Sequence, residues 1–243
     1  MKTRLYVPVP LASGASLVLD PERSHYVSRV LRLRAGDELV LFDGSGHEHP
    51  GSVSNASRKG VTVSVGAARE RGLESPLAVR LIQGLARGDR MDFVVQKATE
   101  LGVQRITPVI TEFSVVRLAA AKADKRVEHW QKIAQGACEQ CGRNTVPGID
   151  PPQPLTAVLD ARPHGSTRVV LHPGAGDPLP ALRIHDGRIE LLIGPEGGLS
   201  SGELDMATTA GYLACSLGPR ILRTETAAMA ALAVLQARYG DLA

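Results

Sequence analysis

From residue 77 to its end the chain alternates runs of strand character with runs of helical character, and nothing else in the sequence constrains the fold as tightly. LAVRLIQGL (77–85) is followed by DRMDFVVQKATELG (89–102), then by QRITPVI (104–110) and a long helical stretch from about Lys122 to Gly142. TRVVLHP, IELLIGPEGG, SSGELDMATTAG, LACSLG and a final alanine-rich helix complete the series. Parallel strands need long crossover connections, which helices supply, so the pattern predicts an α/β fold with a parallel sheet and helices on its faces.

The first 72 residues are different. Short runs of strand type, LVLD, DELVLFD and GVTVSVGAA, are separated by Gly, Ser and Asn turns, which predicts a small β-barrel. PERSHYVSRVLRL (21–33) is the exception. Val27, Val30 and Leu31 recur there at helical spacing and Pro21 suits a helix start. The charged, proline-ended stretch ARERGLESP (68–76) puts the domain boundary near residue 72, giving domains 1–72 and 73–243.

Charge divides the chain in the same way. Residues 1–72 hold ten basic and seven acidic side chains, whereas 73–243 hold eighteen of each. Arg23, Arg29, Arg32 and Arg34, together with His25, lie between Glu22 and Asp37 with no acid among them. Such a cluster would attract a phosphate backbone, although a solvated arginine face reads identically. With Arg4 and Arg143 it forms the expected RNA-facing set.

Pro8, Pro10 and Gly14 interrupt any apolar core of a secretory signal, and the longest clean apolar run, Ala227 to Leu235, is far below the roughly 20 residues of a membrane span. Three cysteines, Cys138, Cys141 and Cys215, leave an odd thiol and suit a reducing compartment, so the cytoplasm is the expected location. The single C-x-x-C has no second pair to complete a zinc site, and no metal is expected.

In open α/β sheets ligands bind beyond the C-terminal ends of the strands. Three loops stand there: His172-Pro173-Gly174, Gly194-Pro195-Glu196-Gly197-Gly198, and Gly218-Pro219-Arg220-Ile221-Leu222-Arg223. Ser200 to Glu203 after the second loop fits a capping box, and Thr224 after the third is a candidate cap for the last helix. Neither G-x-x-x-x-G-K-[ST] nor a complete G-x-G-x-x-G occurs, which argues against nucleoside triphosphates and dinucleotides.

LLIGPEGGLSSGEL (191–204) followed by SLGPRILRTETAAMAAL (216–232) closely resembles the bacterial enzymes that methylate uridine N3 in 16S rRNA, within the SPOUT methyltransferase superfamily. RMDFVVQKATELGV (90–103), ACEQCGRN (137–144) and HYVSRVLRLRAGDELVLFDGSG (25–46) extend the likeness over most of the chain, while 145–166 carries no recognisable motif. Lys97, Glu100, Glu139 and Gln140 fall in these motifs without an assignable role.

The resemblance implies a PUA-like β-barrel joined to a SPOUT α/β domain tied in a trefoil knot, which topology rules alone would not anticipate. It implies that the three loops enclose S-adenosylmethionine, through Leu171 and His172, then Ile193, Gly194, Pro195, Glu196, Gly197 and Gly198, then Ser216, Leu217, Gly218, Ile221 and Leu222. Uracil N3 starts protonated, so either a base or a stabiliser of the uracil anion is required, and Arg223 or Arg220 is the candidate stabiliser. Glu196 is the candidate for proton handling or cofactor orientation.

Six alanines among residues 224–237 would let a second helix approach closely, as in the homodimer these families form, with packing inside one subunit as the competing explanation. The expected partner is 16S rRNA or the small ribosomal subunit. Two other readings stay open: an RNA-binding dimer without catalysis, and a SPOUT methyltransferase acting on tRNA.

Overall fold

A computed structural model describes residues 3–57, 60–114, 120–161 and 165–242. The chain divides into two compact units, Met1–Glu74 with Cys138–Val146, and Ser75–Ala137 with Pro147–Ala243. Segment 138–146 thus belongs with the N-terminal unit, a membership that local periodicity does not carry.

The N-terminal unit contains β1 (Arg4–Tyr6), β2 (Ser16–Val18), α1 (Pro21–His25), β3 (Glu38–Phe42), β4 (His47–Ser57), β5 (Gly60–Val65) and β6 (Arg69–Glu70). The sheet runs β1-β3-β4-β5-β2, with β6 on β4. No ladder joins β1 to β2 among the described residues, so the pairing path of this small sheet is open. Along β5 every second residue is buried, and Val61, Val63 and Val65 meet Leu5, Leu39, Leu41 and Val53 in the core.

Strand β4 escaped the sequence reading. Only Glu48, His49 and Val53 of its residues are buried, so it has no apolar alternation to recognise. Its Gly51 is required by a close approach, since a Cβ there would stand 2.5 Å from the Ser64 carbonyl oxygen.

Pro21 occupies the first turn of α1, and Asp20 caps it by accepting the Arg23 N–H at 2.9 Å. The expected helix to Leu33 is shorter than the spacing suggested. A π-turn over Tyr26–Val30 follows α1, closed by Leu31 N–H on the Tyr26 carbonyl, and Arg32 then adopts φ 57°. Val27 faces the core, whereas Val30 is 59% exposed.

The second unit contains β7 (Ala78–Gly84), α2 (Asp89–Glu100), β8 (Arg105–Ile110), most of α3 (Ala120–Cys141, whose last residues from Cys138 belong to the first unit), β9 (Gly148–Ile149), β10 (Gln153–Pro154), α4 (Leu155–Asp160), β11 (Thr167–Leu171), β12 (Asp177–Pro178), β13 (Arg188–Ile193), α5 (Ser201–Thr209), β14 (Leu213–Ser216) and α6 (Thr224–Tyr239). The strand order is β10-β8-β7-β13-β11-β14-β12 with β9 on β8, and every pairing is parallel, as the alternation predicts. Central strands β7 and β13 are buried along nearly their whole length, the mark of a sheet covered on both faces. Ile82, Val109, Val170 and Leu192 pack with Leu155, Val158 and Leu159 of α4 and Ala207 of α5.

One buried charge interrupts β13. Glu190 is held by Arg80 at 2.9 Å and Arg168 at 3.3 Å, and accepts the Tyr212 hydroxyl at 3.0 Å. These partners offset its desolvation, which a lone buried carboxylate could not do. Helix α6 buries Ala228, Ala231, Leu232 and Leu235 within the unit, and Gln236 near its end donates to the Leu101 carbonyl at 2.8 Å.

Candidate functional site

Where β11, β13 and β14 end, their loops bound a cavity of about 340 Å³. A parallel sheet aims all its strands one way, so loops distant in sequence emerge side by side at its C-terminal edge. Leu171, His172 and Pro173 come from the first loop, the segment Ile193 to Leu199 from the second, and Leu217, Gly218, Arg220, Ile221 and Leu222 from the third. Thr224 and Ala227 of α6 complete the lining. The size lies within the ~300–1,000 Å³ of small-molecule sites.

The second loop is built on close backbone approach. A Cβ on Gly194 would stand 2.9 Å from the Gly198 carbonyl carbon, and one on Gly197 would stand 2.8 Å from Phe113 Cβ. Gly198 turns at φ 74° and its N–H binds the Pro195 carbonyl at 2.9 Å, closing the turn. Below it, a Cβ at Gly84 would collide with Pro195. The loop then enters α5 through a complete capping box, Ser200 with Glu203, as the sequence predicts.

In the first loop His172 is occupied by its own turn, where Nδ1 accepts the Gly174 N–H at 3.2 Å. In the third, Gly218 adopts φ 75° and Ile221 is 84% exposed at the rim. Exposing so large an apolar side chain forgoes on the order of 1.5–3 kcal/mol of burial, which a ligand with an apolar face would recover.

Glu196 lies on the cavity wall, already engaged. Its carboxylate accepts the Arg87 N–H at 3.0 Å and Arg90 Nη1 at 2.6 Å. Partial burial pushes this carboxyl up, but the Arg87 and Arg90 contacts outweigh it and hold it below its ordinary value. Arg220 is exposed at the cavity wall.

Two expected site residues stand outside the lining. Ser216 turns its hydroxyl to the Asp177 carbonyl at 3.4 Å, and Arg223 is the exposed N-cap residue of α6. Thr224 therefore does not cap α6, as sequence spacing suggested. It is the first helical residue, buried, and donates its hydroxyl to the Gly194 carbonyl at 2.7 Å. Gly84, Arg87, Arg90 and Phe113, which support the second loop from β7, the connection to α2, α2 itself and the turn after β8, were missed, because no local pattern links them to residue 194.

The expected RNA-facing residues separate into two kinds. His25, Arg29 and Arg34 line a groove of about 890 Å³ in the N-terminal unit, with Ser24, Ser28 and Ser57, and Arg32 is exposed beside them in sequence. Arg4 and Arg143 are buried instead. Arg4 binds Glu48 at 2.6 Å and Asn144 Oδ1 at 2.5 Å, while Arg143 binds Glu74 through Nε at 2.9 Å and Nη2 at 2.8 Å. Both are internal clamps, so burial removes them from a phosphate-facing surface. Arg23 is half-buried, bonded to Asp20 and the Tyr6 carbonyl.

The motif residues without a role are also occupied. Glu139 accepts the Tyr6 N–H at 2.9 Å, with burial pushing its carboxyl up, and Lys97 pairs with Glu100 at 2.8 Å. Gln140 is exposed at the end of α3. Among the described residues no cluster of His, Cys, Asp or Glu could hold a metal, and no helix is long and apolar enough to cross a membrane.

Known proteins share both units. Residues 73–236 match the RNA methyltransferase domain and residues 19–66 match the RNA methyltransferase PUA domain. The ribosomal RNA small subunit methyltransferase E of Buchnera aphidicola is 32% identical over 239 residues, covering 98% of this chain and 97% of that protein. Its namesake in Bacillus subtilis is 32% identical over 222 residues, covering 88% and 87%.

Two solved structures cover 100% of both chains. One from Legionella pneumophila, described as a methyltransferase in complex with its cofactor S-adenosylmethionine, has a TM-score of 0.94 at 40% identity. The ribosomal RNA small subunit methyltransferase E of Neisseria gonorrhoeae, bound to S-adenosylmethionine, has a TM-score of 0.93 at 38% identity. On a domain match spanning 73–236 and likeness along nearly its whole length, the chain belongs to the RNA methyltransferase family.

Proposed function

We propose that this protein transfers a methyl group from S-adenosylmethionine to N3 of a uridine in 16S ribosomal RNA. The observation that carries the reading is the cavity formed by the loops after β11, β13 and β14. Its residues fit the cofactor: Leu171, Ile193, Leu217, Ile221 and Leu222 offer apolar walls for an adenine, and Gly194, Gly197 and Gly218, without side chains, let its polar edge approach the backbone. S-adenosylmethionine, when bound, supplies an electrophilic methyl group on a sulfonium.

The chain's own task is to align the acceptor and favour its anionic form. Arg220, exposed on the cavity wall, is the group we assign to the negative charge that develops on the uracil oxygens. Glu196 is held ionised by Arg87 and Arg90, so its role is to set the second loop and to face a cationic ligand. Arg223, exposed at the start of α6, is assigned to RNA approaching the cavity.

In this reading residues 1–72 grip rRNA and 73–243 carry catalysis. The groove lined by His25, Arg29 and Arg34 has the charge for a phosphate backbone, and the adjoining π-turn and left-handed Arg32 are backbone features that recur at functional sites. A trefoil knot belongs to the proposal. β11 lies between β13 and β14, so the connection from β13 to β14 crosses over β11, as a knotted arrangement requires. So does a homodimer through α6, whose Met229, Ala230, Ala233 and Val234 are only half-buried. Cytoplasmic location follows from the substrate.

Incubation with S-adenosylmethionine and 16S rRNA or small subunits from a strain lacking the enzyme, followed by nucleoside mass spectrometry, tests the proposal. It predicts 3-methyluridine. Methylation only of tRNA, or cofactor binding without transfer to RNA, would replace it with another activity.

A further inference from the structure

We propose that Gln83 is a positioning residue, which sets the spacing between two walls of the cavity through the hydroxyl of Thr224. The inference rests on the reading of that cavity as the cofactor site.

Gln83 is the penultimate residue of β7, paired across the ladder with Ile193, and is fully buried. Its Nε2 donates to Thr224 Oγ1 at 2.8 Å and to the Gly84 carbonyl at 3.1 Å. Thr224 Oγ1 in turn donates to the Gly194 carbonyl at 2.7 Å. Gly194 opens the second loop, and Thr224 follows the third loop directly. One hydroxyl, acting as acceptor and donor together, therefore ties both loops to the end of a central strand.

The orientation of the amide follows from the partners. Turning it over would set Oε1 against the Gly84 carbonyl, and against a hydroxyl whose hydrogen is already committed to Gly194. As it stands, Gln83 Oε1 is buried with no hydrogen-bond partner among the described residues. An unsatisfied buried amide oxygen is unfavourable, and a methionine would fill comparable volume without it. A glutamine kept only to fill the core is the poorer choice. One that supplies the N–H on which Thr224 depends has a reason to be there.

Calorimetric titration with S-adenosylmethionine, paired with steady-state methylation, of the wild type, Gln83→Met, Thr224→Val, Thr224→Ser and the Gln83→Met/Thr224→Val double variant tests the relay. We expect Gln83→Met and Thr224→Val each to weaken cofactor affinity about tenfold, the double variant to be no weaker than the worse single one, and Thr224→Ser to stay within about twofold of the wild type. Should Gln83→Met not fold, Gln83→Leu takes its place in the same set of variants. Wild-type binding with Gln83→Met or Thr224→Val unchanged in affinity, or additive losses in the double variant, would overturn the relay and leave the cofactor site standing. No binding by the folded wild type would remove the cofactor reading, and the relay with it.

Discussion

Arg90 Nη1 stands 2.6 Å from Glu196 Oε1, joining the first turn of α2 to the loop after β13. That contact and the Arg87 N–H hold the carboxyl below its ordinary value of 4.5 against partial burial. Because the folded value is depressed, the stabilisation is complete above the ordinary value and is lost as pH falls through the folded one. Arg90→Ala and Glu196→Gln should therefore lower the thermal midpoint at pH 7, and melt like the wild type near the acid end. The pair is partly exposed, so the effect at pH 7 should stay below about 1 kcal/mol, while cofactor affinity falls severalfold.

Gly84 makes a sharper prediction. Its missing side chain lets Pro195 lie against β7, and a Cβ would collide with that proline. Gly84→Ala should displace the loop, destabilising the fold by roughly 1–3 kcal/mol and weakening S-adenosylmethionine binding more than Arg90→Ala does. Denaturant melts and titration calorimetry on both variants check the order.

The arginines of the N-terminal unit should divide by burial. Arg29→Glu and Arg34→Glu should weaken rRNA binding and flatten its salt dependence with the melting temperature unchanged, because both side chains face an open groove. Arg4→Met should leave Glu48 buried without its 2.6 Å partner and cost about 3–5 kcal/mol. Filter binding across a salt series, alongside thermal melts, separates the two outcomes.

Sequence patterns reached the sheet, the helices and the three loops because each is local: a period, a cap, or glycines beside an apolar run. The same reasoning put Arg4 and Arg143 on the RNA face, since a sequence shows charge but not the distant Glu48 and Glu74 that bury it. It gave Thr224 to the helix cap because its partners, Gln83 and Gly194, lie on two other elements. Strand β4 was hidden by its own composition, with His49 and Gly51 where an alternating strand ending on Val53 would have apolar residues.

The two thiols of the C-x-x-C should differ in reactivity. Cys138 is buried and donates to the Thr145 carbonyl, and burial pushes its thiol up to about 12, whereas Cys141 is partly exposed. Alkylation at pH 8 of the folded protein should label Cys141 well before Cys138, as peptide mass spectrometry would show. Equal labelling would mean that the end of α3 opens.

A crystal structure grown with S-adenosylmethionine tests the central claim most directly. The account predicts the cofactor between the loops after β11, β13 and β14, touching Gly194, Leu217 and Leu222, with Ile221 drawn out of solvent. Cofactor bound elsewhere on the chain, or none at a saturating concentration, would contradict it.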